Sequence, residues 1–181
     1  MIANLRQTKR NHFFNGKLLG AEDLQLEQEY FRERLKRHNI YLHGFGVVFG
    51  LEVSRSGGQV VITPGLAVDC EGNEIVIAEP QKQSLPRTED VGTTIFLNLN
   101  YVEKETDAVV IEGPNGSRKE YSRIEDSFAV VFERRNPNQG HRHLGGRWQA
   151  CARPHGLSIA RLRFTSGQWR IDRRHRRPVV K

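Results

Sequence analysis

The hydrophobic pattern of this chain changes period once. Between Ala21 and Leu42 the apolar positions recur at helical spacing: Leu24, Phe31, Leu35 and Leu42 fall on one stripe with Gln28 and His38, and Leu26 and Tyr30 widen it. The opposite side carries Glu27, Glu29, Arg32, Glu33, Lys36 and Arg37. A turn at Asn15-Gly16 precedes this stretch, and both residue types tolerate positive φ. Gly20 stands at the cap position without a side-chain oxygen to offer an orphan N–H. Glu22 and Asp23 in the first turn, and Arg34, Lys36, Arg37 and His38 in the last, complement the helix dipole. Between Ala21 and Asn39 no Gly or Pro interrupts, and a helix of about 19 residues spans roughly 28 Å. The reading is that Leu24, Phe31 and Leu35 pack on the chain's own β body, with part of the wide face left to contact another subunit.

From Gly46 onward the pattern is that of strands. Val47-Val48-Phe49 runs on through Leu51-Glu52-Val53, and residues 54–58 (SRSGG) form a hairpin loop. Strands follow at 59–63, 66–70 and 74–77, turned by Pro64-Gly65 and by Glu71-Gly72-Asn73. Residues 78–92 read as a polar connection. In 93–102 (TTIFLNLNYV) Ile95, Leu97, Leu99 and Tyr101 alternate with Phe96, Asn98 and Asn100. A return strand at 108–111, a strand within 121–133 and a last hairpin around Ser166-Gly167 complete the set. The predicted fold is mainly β with one long N-terminal α-helix, on an antiparallel β-sandwich or barrel-like body of roughly eight to ten short strands. It divides into an arm and turn (1–20), the helix (21–42), the β body (43–133), a basic Gly/His-rich loop (134–156), and a closing hairpin with a basic tail (157–181).

Composition adds one asymmetry. At 181 residues and 37% hydrophobic content, a single domain with an ordinary core is expected. No apolar run reaches the length of a membrane span, and MIANLRQTKR lacks a signal peptide's apolar segment, so synthesis in the cytosol is expected. Residues 134–181 hold 13 Lys+Arg and one acid, Asp172, a balance of +12; residues 1–133 hold 15 against 20 acids, a balance of −5. The high pI belongs to the last quarter, which points to an acidic partner there, protein or nucleic acid.

Candidate chemistry is sparse. His141, His143, Cys151 and His155 are all zinc-binding types, but the spacing H-x-H-x7-C-x3-H matches no standard zinc pattern, and surface histidines account for it. Cys70 and Cys151 form no motif, and no nucleophile elbow, metalloprotease helix or P-loop is present. Neither an enzyme nor a cofactor is implied. Arg173, Arg174, Arg176 and Arg177, with Trp148 and Trp169, offer a nucleic-acid-binding alternative.

The string His12-Phe13-Phe14-Asn15-Gly16-Lys17-Leu18-Leu19, with Ala21-Glu22-Asp23-Leu24, Glu27-Gln28-Glu29-Tyr30 and Arg37-His38-Asn39, resembles a structural module of phage-tail-like particles. That module occurs in contractile injection systems and in related tail or baseplate proteins. Leu42-His43-Gly44, Gly46-Val47-Val48-Phe49-Gly50-Leu51-Glu52-Val53, residues 61–69 (VITPGLAVD) and Gly72-Asn73-Glu74-Ile75 extend the resemblance. Leu157-Ser158-Ile159-Ala160-Arg161-Leu162, Gly167, Ile171-Asp172 and Arg176-Arg177 look like its closing hairpin. Gly20 departs from the Ser or Thr common at the cap, and Cys151 stands alone where relatives carry paired cysteines. The resemblance implies a non-enzymatic assembly subunit at or near a baseplate, present in multiple copies and partnered by other particle subunits. Its expected docking residues are Leu24, Phe31 and Leu35 on the helix and Arg134, Arg135, Arg142, Arg147, Arg173, Arg174, Arg176 and Arg177 in the basic region.

Overall fold

The computed structural model describes residues 7–88, 90–114, 116–139 and 156–180. His141, Arg142, His143, Arg147, Cys151 and His155 lie outside the described residues. A helix, α1 (Ala21–His38), runs into a π-helical turn (Asn39–His43) that ends where the Gly44 N–H donates to the Ile40 carbonyl at 3.1 Å. Among the described residues the strands are β1 (Gly46–Gly50), β2 (Val53–Ser56), β3 (Gln59–Ile62), β4 (Gly65–Val68), β5 (Glu74–Ile77), β6 (Gln81–Ser84), β7 (Thr94–Gly113), β8 (Gly116–Glu133), β9 (Leu157–Thr165) and β10 (Gln168–Ile171). They form three antiparallel sheets ordered β1-β4-β5, β2-β3-β6 and β10-β9-β7-β8. The sheets do not close into a barrel. The expected mainly-β body with a single helix is what the chain builds.

All three sheets feed one core. Val60 and Ile62 of β3, Ile75 and Ile77 of β5, and Ile95, Leu97 and Leu99 of β7 are buried at every second position, as a pleated strand with one buried face requires. Leu157, Leu162 and Trp169 close it from β9 and β10. The Trp169 indole N–H reaches the Pro86 carbonyl at 2.8 Å, which ties the polar connection to the core.

The strand expected to run through Leu51 instead breaks there. Leu51 adopts φ 55°, a left-handed conformation disfavoured for a branched side chain, yet it is 0% exposed. Its N–H donates to the Pro64 carbonyl at 3.3 Å, and its own carbonyl accepts from Arg177 Nη1 at 2.7 Å. Glu52 and Thr63 exchange two bonds, at 2.9 and 3.0 Å. Two antiparallel segments therefore turn a corner together: β1 pairs with β4 before it, and β2 pairs with β3 after it. One bent pair supplies strands to two sheets.

The C-terminal segment is stitched beside this corner. Val47 N–H donates to the Pro178 carbonyl at 2.9 Å, Val180 N–H donates to the Val47 carbonyl at 3.1 Å, and Val47 and Val179 form a parallel bridge. A Cβ at Gly46 would lie 2.7 Å from the Pro178 and Val179 backbone, so only glycine admits this crossing. Residues 178–180 are thus part of the fold and not the end of a free basic tail.

Two further expectations change. Residues 78–92 contain β6, which pairs with β3. The two separate strands expected between 93 and 111 are one, β7, pairing with β8 from Phe96 to Gly113, while β9 covers β7 only from Thr94 to Leu99. The rest is a two-stranded ribbon, exposed from Lys104 outward except for half-buried Thr106. Asn138, after β8, is tied to the start of β9: its amide donates to the Gly156 carbonyl at 3.1 Å and accepts from Ser158 N–H at 2.6 Å.

The corner generates a stability test. Arg177→Ala is expected to destabilise the chain by about 1.5–3 kcal/mol, the range for bonds made by a charged group. Arg176→Ala, at an exposed neighbour, is expected to stay within about 0.5 kcal/mol of the parent. Urea unfolding of the two variants decides it, and equal effects would remove Arg177 from its structural role.

Candidate assembly surface

The helix attaches to the β body by its C-terminal end. Gly72, at φ +89°, lies so close beneath Lys36 that an added Cβ would sit 2.3 Å from the Lys36 carbonyl oxygen. Asn39 donates through Nδ2 to the Gly72 carbonyl at 3.0 Å and to Glu74 Oε1 at 3.3 Å. The receiving turn is held by Asp69, whose carboxylate accepts from the Glu71 and Asn73 N–H groups at 2.8 and 2.9 Å and from Asn73 Nδ2 at 2.8 Å. Arg32 adds an ion pair with Glu103 at the root of the ribbon. Beside it the Tyr101 hydroxyl lies between Asp126 and Glu103. Burial, and then those two carboxylates, push the phenol well above its ordinary pKa of 10.0, so it stays protonated.

The other end of α1 is held by the chain that precedes it. Gly20 supplies no capping oxygen, and the Asp23 carboxylate instead accepts from Gly20 N–H at 3.1 Å. The bond from Lys17, at 2.9 Å, and then the Gly20 N–H hold the Asp23 carboxyl below its ordinary 3.8. Asn11 N–H donates to Glu27 Oε2 at 3.3 Å and Arg37 to Thr8 Oγ1 at 3.3 Å, so residues 8–17 run back along one flank of the helix.

What neither attachment covers is the apolar stripe. Leu24, Phe31 and Leu35 are 57%, 60% and 52% exposed, and α1 has no buried residue. The expectation that they pack on the chain's own β body is overturned. The three sheets fill their core without a contribution from α1, and the attachments at Arg32, Lys36 and Asn39 lie toward the helix's C-terminal end. Leu35 alone borders a contact, a small cleft it lines with Arg32, Gly72, Glu74, Tyr101 and Asp126. Phe13, Phe14, Leu18 and Leu19 are exposed in the entry segment as well, Leu18 at 92%. Val109, Val110, Ile111, Tyr121 and Ile124 are exposed on the ribbon. Residues 108–111 show no alternation, a cue that this strand faces no core. A monomer seldom leaves so many large apolar side chains uncovered without an interaction to make.

The basic candidates divide. Arg134 and Arg135 are exposed at the end of β8, and Arg173, Arg174 and Arg176 are exposed after β10. Arg177 instead holds the Leu51 carbonyl and pairs with Glu52 Oε1 at 2.6 Å. The lone acid of this region, Asp172, pairs with Arg161 at 2.6 Å and accepts from the Arg174 N–H at 2.9 Å. Arg174 N–H first, and Arg161 after it, hold the Asp172 carboxyl low against an opposing burial effect. His175 turns inward, with Nε2 3.4 Å from Ser158 Oγ and its ring on Phe96. Burial first and the Arg161 charge second lower its pKa from the ordinary 6.5. No cluster of metal-ligating side chains occurs among the described residues. None of their helices is long and apolar enough to cross a membrane.

Comparison with solved structures then decides the fold relationship. A chain of the baseplate complex from the type VI secretion system superposes on 96% of this chain at TM-score 0.56. At the level of fold, this chain is similar to type VI secretion baseplate proteins. The sequence identity is 14%, and the match takes in 60% of that neighbour's length. A chain of the TssK-TssF-TssG baseplate subcomplex matches 96% of this chain at TM-score 0.56 and 14% identity, over 62% of its own length. The crystal structure of TssK matches 92% at TM-score 0.52 and 12% identity, over 41% of its length. No protein-family model matches the chain, and no curated protein matches it in sequence. The first two neighbours are chains of a baseplate complex and of a baseplate subcomplex, and the likeness to them is one of fold.

Two outcomes follow from the exposures and from His175. The double variant Leu24→Ser/Phe31→Ser is expected to shift unfolding free energy by less than about 1 kcal/mol. Leu97→Ala, in the core, is expected to cost about 2–5 kcal/mol on the same denaturation assay. The lowered pKa of His175 means that the unfolded chain binds its proton more readily. Its contribution to stability is complete above pH 6.5 and is lost as pH falls through the lower folded value. Urea titrations across that window should give a shallower pH dependence for His175→Gln than for the parent.

Proposed function

We propose that this chain is a structural subunit of a contractile injection system or phage-tail-like particle, placed at or near the baseplate and acting by docking to other subunits. One observation carries the reading: a fold shared over 96% of the chain with a baseplate component, joined to a helix whose apolar stripe the chain's own body leaves open. Leu24, Phe31 and Leu35 form the apolar contact. Arg134, Arg135, Arg173, Arg174 and Arg176 dock acidic neighbours, and Arg142 and Arg147 belong to the same basic set by sequence. Arg177 supports the fold beneath them. Multiple copies in a symmetric particle multiply each modest contact by avidity. The chemistry is assembly and not catalysis.

Cryo-electron microscopy of intact particles from the source cells tests this directly. Density for the chain at the baseplate is the expected result. Absence from every particle, together with tight and salt-sensitive DNA binding by the pure chain, would replace the reading with a nucleic-acid adaptor. Leu24→Glu/Phe31→Glu is expected to fold normally yet drop out of purified particles.

A further inference from the structure

Beyond the helix face and the exposed arginines after β10, the body carries a basic groove between two unpaired strand edges. Strand β2 is an outer strand of β2-β3-β6, and β10 is an outer strand of β10-β9-β7-β8. The two lie side by side, yet no backbone pairing joins them among the described residues; Arg55 crosses the gap to Gln168 Oε1 at 3.1 Å. The groove, about 530 Å³, is lined by Val53, Arg55, Gln168, Arg170, Ile171 and Arg173. A second hollow continues from it past Arg55 and Gln168 to Arg87.

The charge of this region is one-sided. Strands β2, β3, β6, β9 and β10 contain Arg55, Lys82, Arg161, Arg163 and Arg170, and no Asp or Glu. Only Arg161 of these pairs with a carboxylate among the described residues, and Arg87 and Arg173 also make no such pair there. The acids that flank the groove's two walls in sequence are already taken, Glu52 before β2 by Arg177 and Asp172 after β10 by Arg161.

We infer that this groove binds an extended acidic segment of a partner protein, which adds as a strand to the edge of β10 or β2. The open edges supply main-chain hydrogen bonds, and Arg55, Arg170 and Arg173 meet carboxylates at alternate positions. Four residues of strand on each wall accommodate roughly 13 Å of extended chain. The geometry favours a peptide over a nucleic acid. Trp169 is 5% exposed and offers no stacking face, whereas the bare strand edges match a polypeptide backbone. This site rests on the assembly reading for its purpose but is testable without a particle.

The probe is a fluorescein-labelled eight-residue peptide of alternating Glu and Val, titrated with the full chain and followed by anisotropy. Saturable binding is expected, with Arg55→Gln/Arg170→Gln weakening it roughly tenfold and added salt weakening it further. N-methylation of alternate amides in the peptide is expected to abolish it, because strand addition needs those N–H groups whereas side-chain attraction alone does not. Circular dichroism of the double variant checks that it folds. No saturable binding, equal binding by the variant, or undiminished binding of the N-methylated peptide overturns the proposal. So does tighter binding of single- or double-stranded DNA through the same two arginines. Incorporation of the chain into particles alongside any of these failures would sink the groove and leave the assembly reading standing.

Discussion

The fold turns on the corner at Leu51. A buried leucine in the left-handed region is costly in isolation, on the order of 1–2 kcal/mol. Here it is offset by complete burial of the side chain and by the bonds that its amide and carbonyl make to Pro64 and Arg177. Because the opposing segment bends at Pro64 in step, a single antiparallel pair is divided between two sheets. Without the bend, β1 and β2 would continue as one strand and the core would lose a wall. The C-terminal segment matters for the same reason: Arg177 holds the Leu51 carbonyl, and residues 178–180 pair with Val47 of β1 just before the corner.

The helix stands in a different relation to the body. Its attachments are polar and local: a glycine under Lys36, an asparagine reaching the same turn, and an ion pair to the ribbon. Such contacts position an element without using its apolar face. The stripe of Leu24, Phe31 and Leu35 is therefore available for an intermolecular contact, and the arm along one flank leaves it so. At Val60, Ile62, Ile75, Ile77, Leu97 and Leu99 the reverse holds, since these side chains are consumed in the core, while the ribbon of β7 and β8 leaves Val109, Val110, Ile111, Tyr121 and Ile124 exposed. A chain built this way separates what holds it together from what it presents.

Electrostatics follow the same division. The acidic excess of residues 1–133 and the basic excess after them read as two blocks along the chain. In space the basic side is wider than the tail, because Arg55 of β2 lines one groove with Arg170 of β10 and Arg173, and Arg163 lies opposite Arg170 in the β9-β10 pair. Arg55 stands alone in its sequence neighbourhood, and only the packing of two sheets gives it company.

The sequence by itself determined the periodicities, and with them the helix, most of the hairpins, and the buried face of Ile95, Leu97 and Leu99. These are local properties: residue spacing sets which side chains share a face, and Gly, Pro and Asn mark where the chain turns. It also showed the run of arginines near the C-terminus. Tertiary structure decided the rest, where a residue's role depends on a partner far along the chain. Leu51 became a corner because Arg177 and Pro64 meet it, and Arg177 left the set of exposed arginines for that reason. Leu24, Phe31 and Leu35 have the same stripe whether they cover a core or a neighbour. Only the filling of the core by three sheets settled that, among the described residues, the β body does not cover them.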